Sequence, residues 1–190
     1  MTEPKDGPRI PLVDPHDADP ATAALLRGRA RKWGKSWNVA RAIAIAPAVI
    51  EMMDRVWDCL ARTSLSTADR ELIAMEMAVT NGCHYCVPAH RYGARREARL
   101  DPDTVALLKR VARGEALTAG TRLALMQRLV RRLLATHGGL TDAEFTTFRA
   151  EGVTPRQMIE TIAEIAHCTV TNYTNRLVRT PLDSFLEPYR

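Results

Sequence analysis

Long hydrophobic runs are the first thing this 190-residue chain lacks. No apolar stretch approaches the roughly 18 residues that cross a bilayer, and the opening MTEPKDGPRIPLVDP is polar and proline-rich, unlike a secretory leader. A cytoplasmic protein with no membrane partner is expected. Aromatic residues make up only 5% of the chain, and Val, Ile and Thr do not gather in alternating runs, while Ala and Leu are abundant. That pattern argues against a sheet and for helices packed on helices. Four cysteines are too few for a disulfide scaffold, and in a reducing compartment a Cys-x-x-Cys pair is more often redox-active or metal-binding than structural. There is no Gly-rich phosphate loop, no Gly-x-Ser-x-Gly elbow and no His-Glu-x-x-His zinc motif.

The formal charge of +5 raises the question of an anionic partner, but basic residues are interleaved with acids along the chain. The densest basic group, Arg27, Arg29, Arg31 and Lys32, reads as a solvated helix face, and with no recognised binding motif beside it no nucleic acid is expected. A hydrophobic content of 46% is enough to bury one substantial core. The expected organisation is an extended N-terminal segment over residues 1–20, with five prolines, followed by a single all-α domain over 21–190.

Helices are expected from Pro20 to about Trp33, as a short turn over 38–45, from Pro47 to about Arg62, from Pro102 to Gly114, and from about Thr118 to His137. Thr141 with Glu144 and Thr154 with Gln157 are capping-box starts, the second opening a long helix over about 155–178. Trp33 and Trp37 bracket a loop, where their indoles either pack on the core or line a substrate entrance. Cys59 and Cys168 read as buried small apolar residues, and His167 as a satisfied core or interface histidine.

Chemistry concentrates in residues 66–98. Ser66 and Asp69 form a cap, the run to about Thr80 has no Gly or Pro, and Asn81-Gly82 closes it, so a second helix begins near Cys83. At 100° per residue, Cys83, Cys86 and His90 fall at about 0°, −60° and −20°, on one face, and Tyr85 points roughly the other way. Helical residues three apart have Cα atoms about 5–6 Å from each other, within the span of a disulfide. If the two helices run antiparallel, Glu71 lies about 15 Å back from the turn, near the level of His90 at about 10 Å along its own helix. A relay from Glu71 through His90 to Cys86 is geometrically reasonable.

A nucleophilic cysteine must ionise, and a free thiol with a pKa near 8.5 is only about 3% thiolate at pH 7. The dipole of a helix N-terminus contributes about 0.3–1 kcal/mol, less than one pKa unit, so a base is needed as well. His90 supplies it, with Glu71 to orient the ring and stabilise its charged form.

Glu71, Cys83 twelve positions on, Cys86 and His90, with the string NGCHYCVPAH, resemble the Glu, Cys-x-x-Cys, His pattern of the AhpD-like alkylhydroperoxidases in the carboxymuconolactone decarboxylase superfamily. The resemblance covers roughly residues 38–180, with Asn172, Tyr173, Asn175 and Arg176 as a weaker second signature. It implies an AhpD-like helical bundle in which Cys86 attacks a small-molecule hydroperoxide, Cys83 resolves the sulfenate, and His90 with Glu71 relays protons. It also implies no cofactor, an external thiol or dithiol reductant, possibly lipoyl-type, and a homo-oligomer, trimer or hexamer. Where the best-studied branch has a histidine immediately before the second cysteine, this chain has Tyr85, and its extra histidine, His84, falls one position earlier. Three other readings stand beside this one. A zinc site on Cys83, Cys86, His90 and His84 is undersupplied, because His84 lies about 100° around the helix from Cys83 and structural zinc wants four ligands. The lyase chemistry of the superfamily's other branch does not rely on a Cys-x-x-Cys pair. A binding protein with a vestigial dithiol is the third.

Overall fold

The capping signals seen in the sequence set the helix starts. In the computed structural model, which describes residues 7–190, Ser66, Thr141 and Thr154 each accept from the backbone three residues on, and Asp69, Glu144 and Gln157 reach back to complete capping boxes. Pairing these otherwise orphaned N–H groups is typically worth about 1 kcal/mol per cap. The elements in chain order are α1 (Pro20–Lys32), α2 (Asn38–Ile43), α3 (Pro47–Leu60), α4 (Thr67–Thr80), α5 (Cys86–Tyr92), α6 (Pro102–Ala112), α7 (Arg122–Thr136), α8 (Asp142–Ala150) and α9 (Pro155–Val178). A π-helical turn over Gly93–Glu97 continues α5, and a 3₁₀ helix spans Ser184–Tyr189. No strand occurs among the described residues, and no helix among them is long and apolar enough to cross a membrane.

The architecture is organised around α4, which packs against α5, α6, α7 and α9. Every residue from Leu72 to Ala78 is buried, so the helix has no solvent face along its central turns. Such a helix must also accommodate its polar groups. Glu76 is met by Arg131 Nε at 2.6 Å and Gln127 Nε2 at 2.8 Å, and Asp69 by Arg122 Nε at 3.2 Å. These pairs tie α7 to α4 by direction as well as by area. Upstream of α1 the backbone is held at two points, Arg9 N donating to Val178 O at 2.8 Å and Val13 N to Arg41 O at 3.3 Å.

Several sequence expectations need correction. The helix expected near Thr118 begins at Arg122, because Thr121 accepts from Ala124 N and is the stronger cap. Cys83 precedes the second hairpin helix, which starts at Cys86; Gly82 at φ +60° turns the chain, and its neighbour Cys83 donates its N–H to Ala78 O at 2.8 Å. Cys168 is fully buried as expected, but Cys59 is exposed near the end of α3.

Candidate active site

Cys86 is the first residue of α5, and its N–H points at Cys83 Sγ at 3.2 Å. The two sulfurs are joined as a disulfide with Cα atoms 5.3 Å apart. Two amides from α9 also reach Cys86 Sγ, Asn172 Nδ2 at 3.3 Å and Asn175 Nδ2 at 3.4 Å. Asn81, the cap of α4, donates to Asn172 Oδ1 at 3.1 Å and so orients that amide. Once the disulfide opens, two N–H donors aimed at one sulfur favour its thiolate over its thiol. Sequence reasoning had Asn172 and Asn175 only as a faint second signature without a role. Their spacing of three on a helix was the available signal, but the partner sulfur lies 86 residues from Asn172.

Glu71 on α4 accepts from His90 Nδ1 at 3.1 Å, the contact expected from antiparallel packing of the hairpin. Gly93 makes room for it: a Cβ there would lie 3.2 Å from Glu71 Oε1. Immediately after His90 the helix widens, Ala98 N donating to Gly93 O at 2.8 Å across five residues, and such π-bulges are frequent at functional sites. Burial opposes charge on His90, but the hydrogen bond and charge of Glu71, with the charge of Glu164, outweigh it and hold the imidazole above its ordinary pKa. A ring that readily carries a proton suits a thiolate partner.

Tyr85 does not point away from the site. The residue sits ahead of α5 rather than on its helical wheel, is 1% exposed, and lines the same cavity as Cys86 and His90. Its hydroxyl donates to Asp183 and accepts from Val39 N at 3.4 Å. Burial and the neighbouring Asp183 charge push the phenol well above its ordinary pKa, so it stays a neutral donor. His84 turns instead to Thr180 O at 2.9 Å and takes no part in the cavity. The set that a zinc reading would need is therefore not brought together.

The cavity measures about 380 Å³. One end holds Cys86, His90 and Glu71; Cys83, fully buried, is not among its lining residues. The other end is an aromatic wall in which Trp33 packs edge-on to Trp57 at 4.6 Å and to Trp37 at 5.9 Å. Trp33 and Trp37 pack on the core, the first of the two expectations, and both also line this cavity. Arg29 lies over the rings of Trp33 and Trp57, at 4.7 and 4.3 Å, and is only 2% exposed. The solvated face expected for its segment therefore fails at this residue, because Asp54 pairs with its guanidinium and the indoles cover it.

From α9, His167 reaches the cavity with Nδ1 3.3 Å from Glu164 Oε1, and Glu164 also accepts from Arg70 Nε at 2.8 Å. Burial would raise the Glu164 pKa, but His167 and Arg70 more than offset it and the carboxyl is held below its ordinary range. Glu164, His167 and Cys168 bring three ligand atoms within 4.8 Å of one another. They are a poor cation site: Arg70 already holds the carboxylate, and burial pushes the Cys168 thiol well above its ordinary pKa.

An all-helical chain with a Cys-x-x-Cys at the turn of a buried hairpin, backed by a carboxylate–imidazole pair, has the AhpD-like fold. Residues 47–127, from α3 to the first residues of α7, match the model of the carboxymuconolactone decarboxylase family. Among solved structures, an uncharacterized peroxidase-related protein from Silicibacter sp. TM1040 is similar over 100% of both chains at 22% identity and a TM-score of 0.77. A second, an alkylhydroperoxidase AhpD core from Ralstonia eutropha JMP134, also an uncharacterized peroxidase-related protein, is similar over 94% of both chains at 19% identity and a TM-score of 0.78. The debrominase Bmp8, solved as a cysteine-to-alanine variant with 2,3,4-tribromopyrrole, is similar over 95% of both chains at 16% identity and a TM-score of 0.70. At these identities the likeness is one of fold. No curated protein matches the chain at a significant level.

Proposed function

We propose that the protein is a dithiol-dependent peroxidase reducing organic hydroperoxides at Cys86. The observation that carries this reading is positional: Cys86 lines the cavity beside the Glu71–His90 pair, and Cys83 lies bonded behind it with no surface of its own. In the reduced protein, His90 takes the Cys86 proton, and the thiolate attacks the terminal peroxide oxygen. The O–O bond breaks, Cys86 becomes a sulfenic acid, and the alkoxide takes a proton to leave as the alcohol. The Cys83 thiol then attacks the Cys86 sulfur, an S–S bond forms and water departs. An external dithiol, lipoyl-type or similar, returns both thiols and is itself oxidised to a disulfide, which is why a reducing compartment such as the cytoplasm and no bound cofactor are part of the proposal.

Hydroperoxide consumption with a dithiol donor tests it. Activity should be lost in Cys86→Ser and fall by about 10²-fold or more in His90→Ala; undiminished activity in both variants would remove the mechanism. A second reading has one observation behind it. The tryptophan-lined cavity suits a planar ring such as the 2,3,4-tribromopyrrole bound by the debrominase, and the same dithiol would then reduce an aryl bromide to the arene and bromide as it becomes the disulfide, so bromide release should be measured beside peroxide loss. We extend the proposal to a homo-oligomer: Ile159, Ile162, Tyr173 and Leu177 on α9 are exposed, at 68, 43, 56 and 61%, and such a stripe on one helix is suited to a subunit contact. Sedimentation velocity with Leu177→Glu reads that directly, a shift to monomer being the expected result.

A further inference from the structure

Buried polar atoms without partners are rare in native proteins, and each calls for a ligand, a water or a chemical role. Among the described residues eight buried side-chain atoms lack a hydrogen-bond partner, and five of them, Arg29 Nε and Nη1, Trp37 Nε1, His167 Nε2 and Asn175 Oδ1, belong to residues lining the one cavity that holds Cys86. The last adjoins the sulfur, since the same amide donates to Cys86. The other four are nitrogens of residues packed on the tryptophans, Arg29 over Trp33 and Trp57, Trp37 edge-on to Trp33, and His167 edge-on to Trp57 at 5.8 Å. Arg29 and Trp37 can only donate, and His167 Nε2 donates when its ring carries both protons, with Nδ1 held by Glu164.

The fixed charges leave this end open to an anion. Within the cavity Glu164 is met by Arg70 and His167, Glu71 by His90, and Asp58 by Lys32, while Glu97, the remaining acid of the lining, is on the hairpin side near Glu71 and His90, where burial pushes its carboxyl above the ordinary range. Asp54, the counter-ion of Arg29, bonds through Nη2 alone and is not part of the cavity lining. His167 and Asn175 are eight residues apart on α9, about 12 Å of helix, so the donor-rich end and the sulfur stand on the order of 10 Å apart. Between them lie the indole faces.

We infer that the cavity takes a hydroperoxide with a planar or chain-like apolar body and a carboxylate at its far end, the carboxylate received by Arg29 and His167 while the peroxide meets Cys86. This rests on the peroxidase reading for the reacting end and is independent of it for the carboxylate end. His167 is here a binding residue, fixed by Glu164, with no part in the electron transfer.

A matched pair of compounds separates the two claims. For turnover the pair is cumene hydroperoxide and its para-carboxylate; for binding it is the corresponding unreactive alcohols, titrated into the Cys86→Ser protein and followed by fluorescence of the cavity tryptophans. The carboxylate alcohol should bind at least tenfold more tightly than the neutral alcohol, and the same preference should appear in KM with kcat little changed. His167→Phe in the Cys86→Ser protein should bring the ratio of the two alcohols' dissociation constants close to one; His167→Gln, which keeps an N–H, should retain part of the preference. Because Arg29 is buried and its pair with Asp54 ties α1 to α3, Arg29→Met also tests folding, so the compound pair and the His167 variants carry the decision. Equal binding of the two alcohols by the Cys86→Ser protein overturns the inference whatever the peroxidase assay shows. Tight, His167-dependent binding of the carboxylate with no peroxide turnover supports the carboxylate site and removes the peroxidase reading.

Discussion

Within the α4–α5 hairpin, Glu71 and His90 are 19 residues apart, and a single turn at Gly82 brings their helices side by side. The aromatic part of the same cavity is drawn from Arg29, Trp33 and Trp57 in the first third of the chain and from His167 on α9. The hairpin end is local and needs only antiparallel packing of two helices. The aromatic end is assembled by the whole fold, since α1 packs on α3 and α3 on α9 before its members meet. The reacting residues of the hairpin are thus positioned mainly by one turn, with Asn172 and Asn175 of α9 completing the surroundings of Cys86, while the shape and polarity of what enters are set by residues drawn from the whole fold.

The largest effect expected from breaking this comparison at the hairpin is with Cys86→Ser, which should abolish peroxide reduction, whereas Cys83→Ser should reduce one equivalent and then stall; stopped-flow peroxide loss distinguishes a burst from silence. Next come Glu71→Gln and His90→Ala, each lowering kcat/KM by about 10²-fold, within the ordinary range for loss of a general base or its orienter.

Glu71→Gln also has a pH signature. The folded-state pKa of His90 is raised, so its protonation stabilises the fold fully below the unfolded value of about 6.5 and that stability is lost as pH rises through the folded value. The stability difference between wild type and Glu71→Gln should thus be widest near about pH 6, at about 1 kcal/mol, and should close at high pH in urea titrations.

A smaller effect is expected across the hairpin–α9 junction. Asn172→Ala and Asn175→Ala each remove one N–H from the Cys86 sulfur and should raise its thiol pKa by about one unit, read from the pH dependence of alkylation in reduced protein. The smallest is Gly93→Ala: its Cβ, 3.2 Å from Glu71 Oε1, should displace the carboxylate by a few tenths of an ångström and cost about threefold in activity with the fold intact.

What could be read from the sequence follows the same division. The capping boxes at Ser66, Thr141 and Thr154, and the prolines opening α1, α3, α6 and α9, mark helix starts by local chemistry that tertiary packing does not override. The Glu71–His90 contact was legible because an antiparallel hairpin turned at Gly82 brings the two to one level, and the Cys83–Cys86 bond because residues three apart lie within its span even though Cys83 precedes α5. Tyr85 was misread because the wheel was drawn through residues that precede α5. Arg29 was misread because an arginine among other basic residues looks solvated until Trp33 and Trp57 are known to cover it. Cys59 was misread because a cysteine near the end of a helix carries no signal of which face it takes. The role of the α9 amides, and the unpartnered Nε2 of His167, depend on contacts across more than 80 residues of chain or on a cavity that exists only once the helices have docked.

The central claim, that the cavity presents one sulfur to substrate and hides the other behind it, is tested most directly by trapping. Reduced Cys83→Ser protein should be treated with one equivalent of cumene hydroperoxide and dimedone, and the labelled residue located by peptide mass spectrometry, with Cys86→Ser treated in parallel. The account predicts a sulfenate adduct on Cys86 in the first protein and none on Cys83 in the second; an adduct on Cys83, or an unlabelled Cys86 with the peroxide consumed, would contradict it.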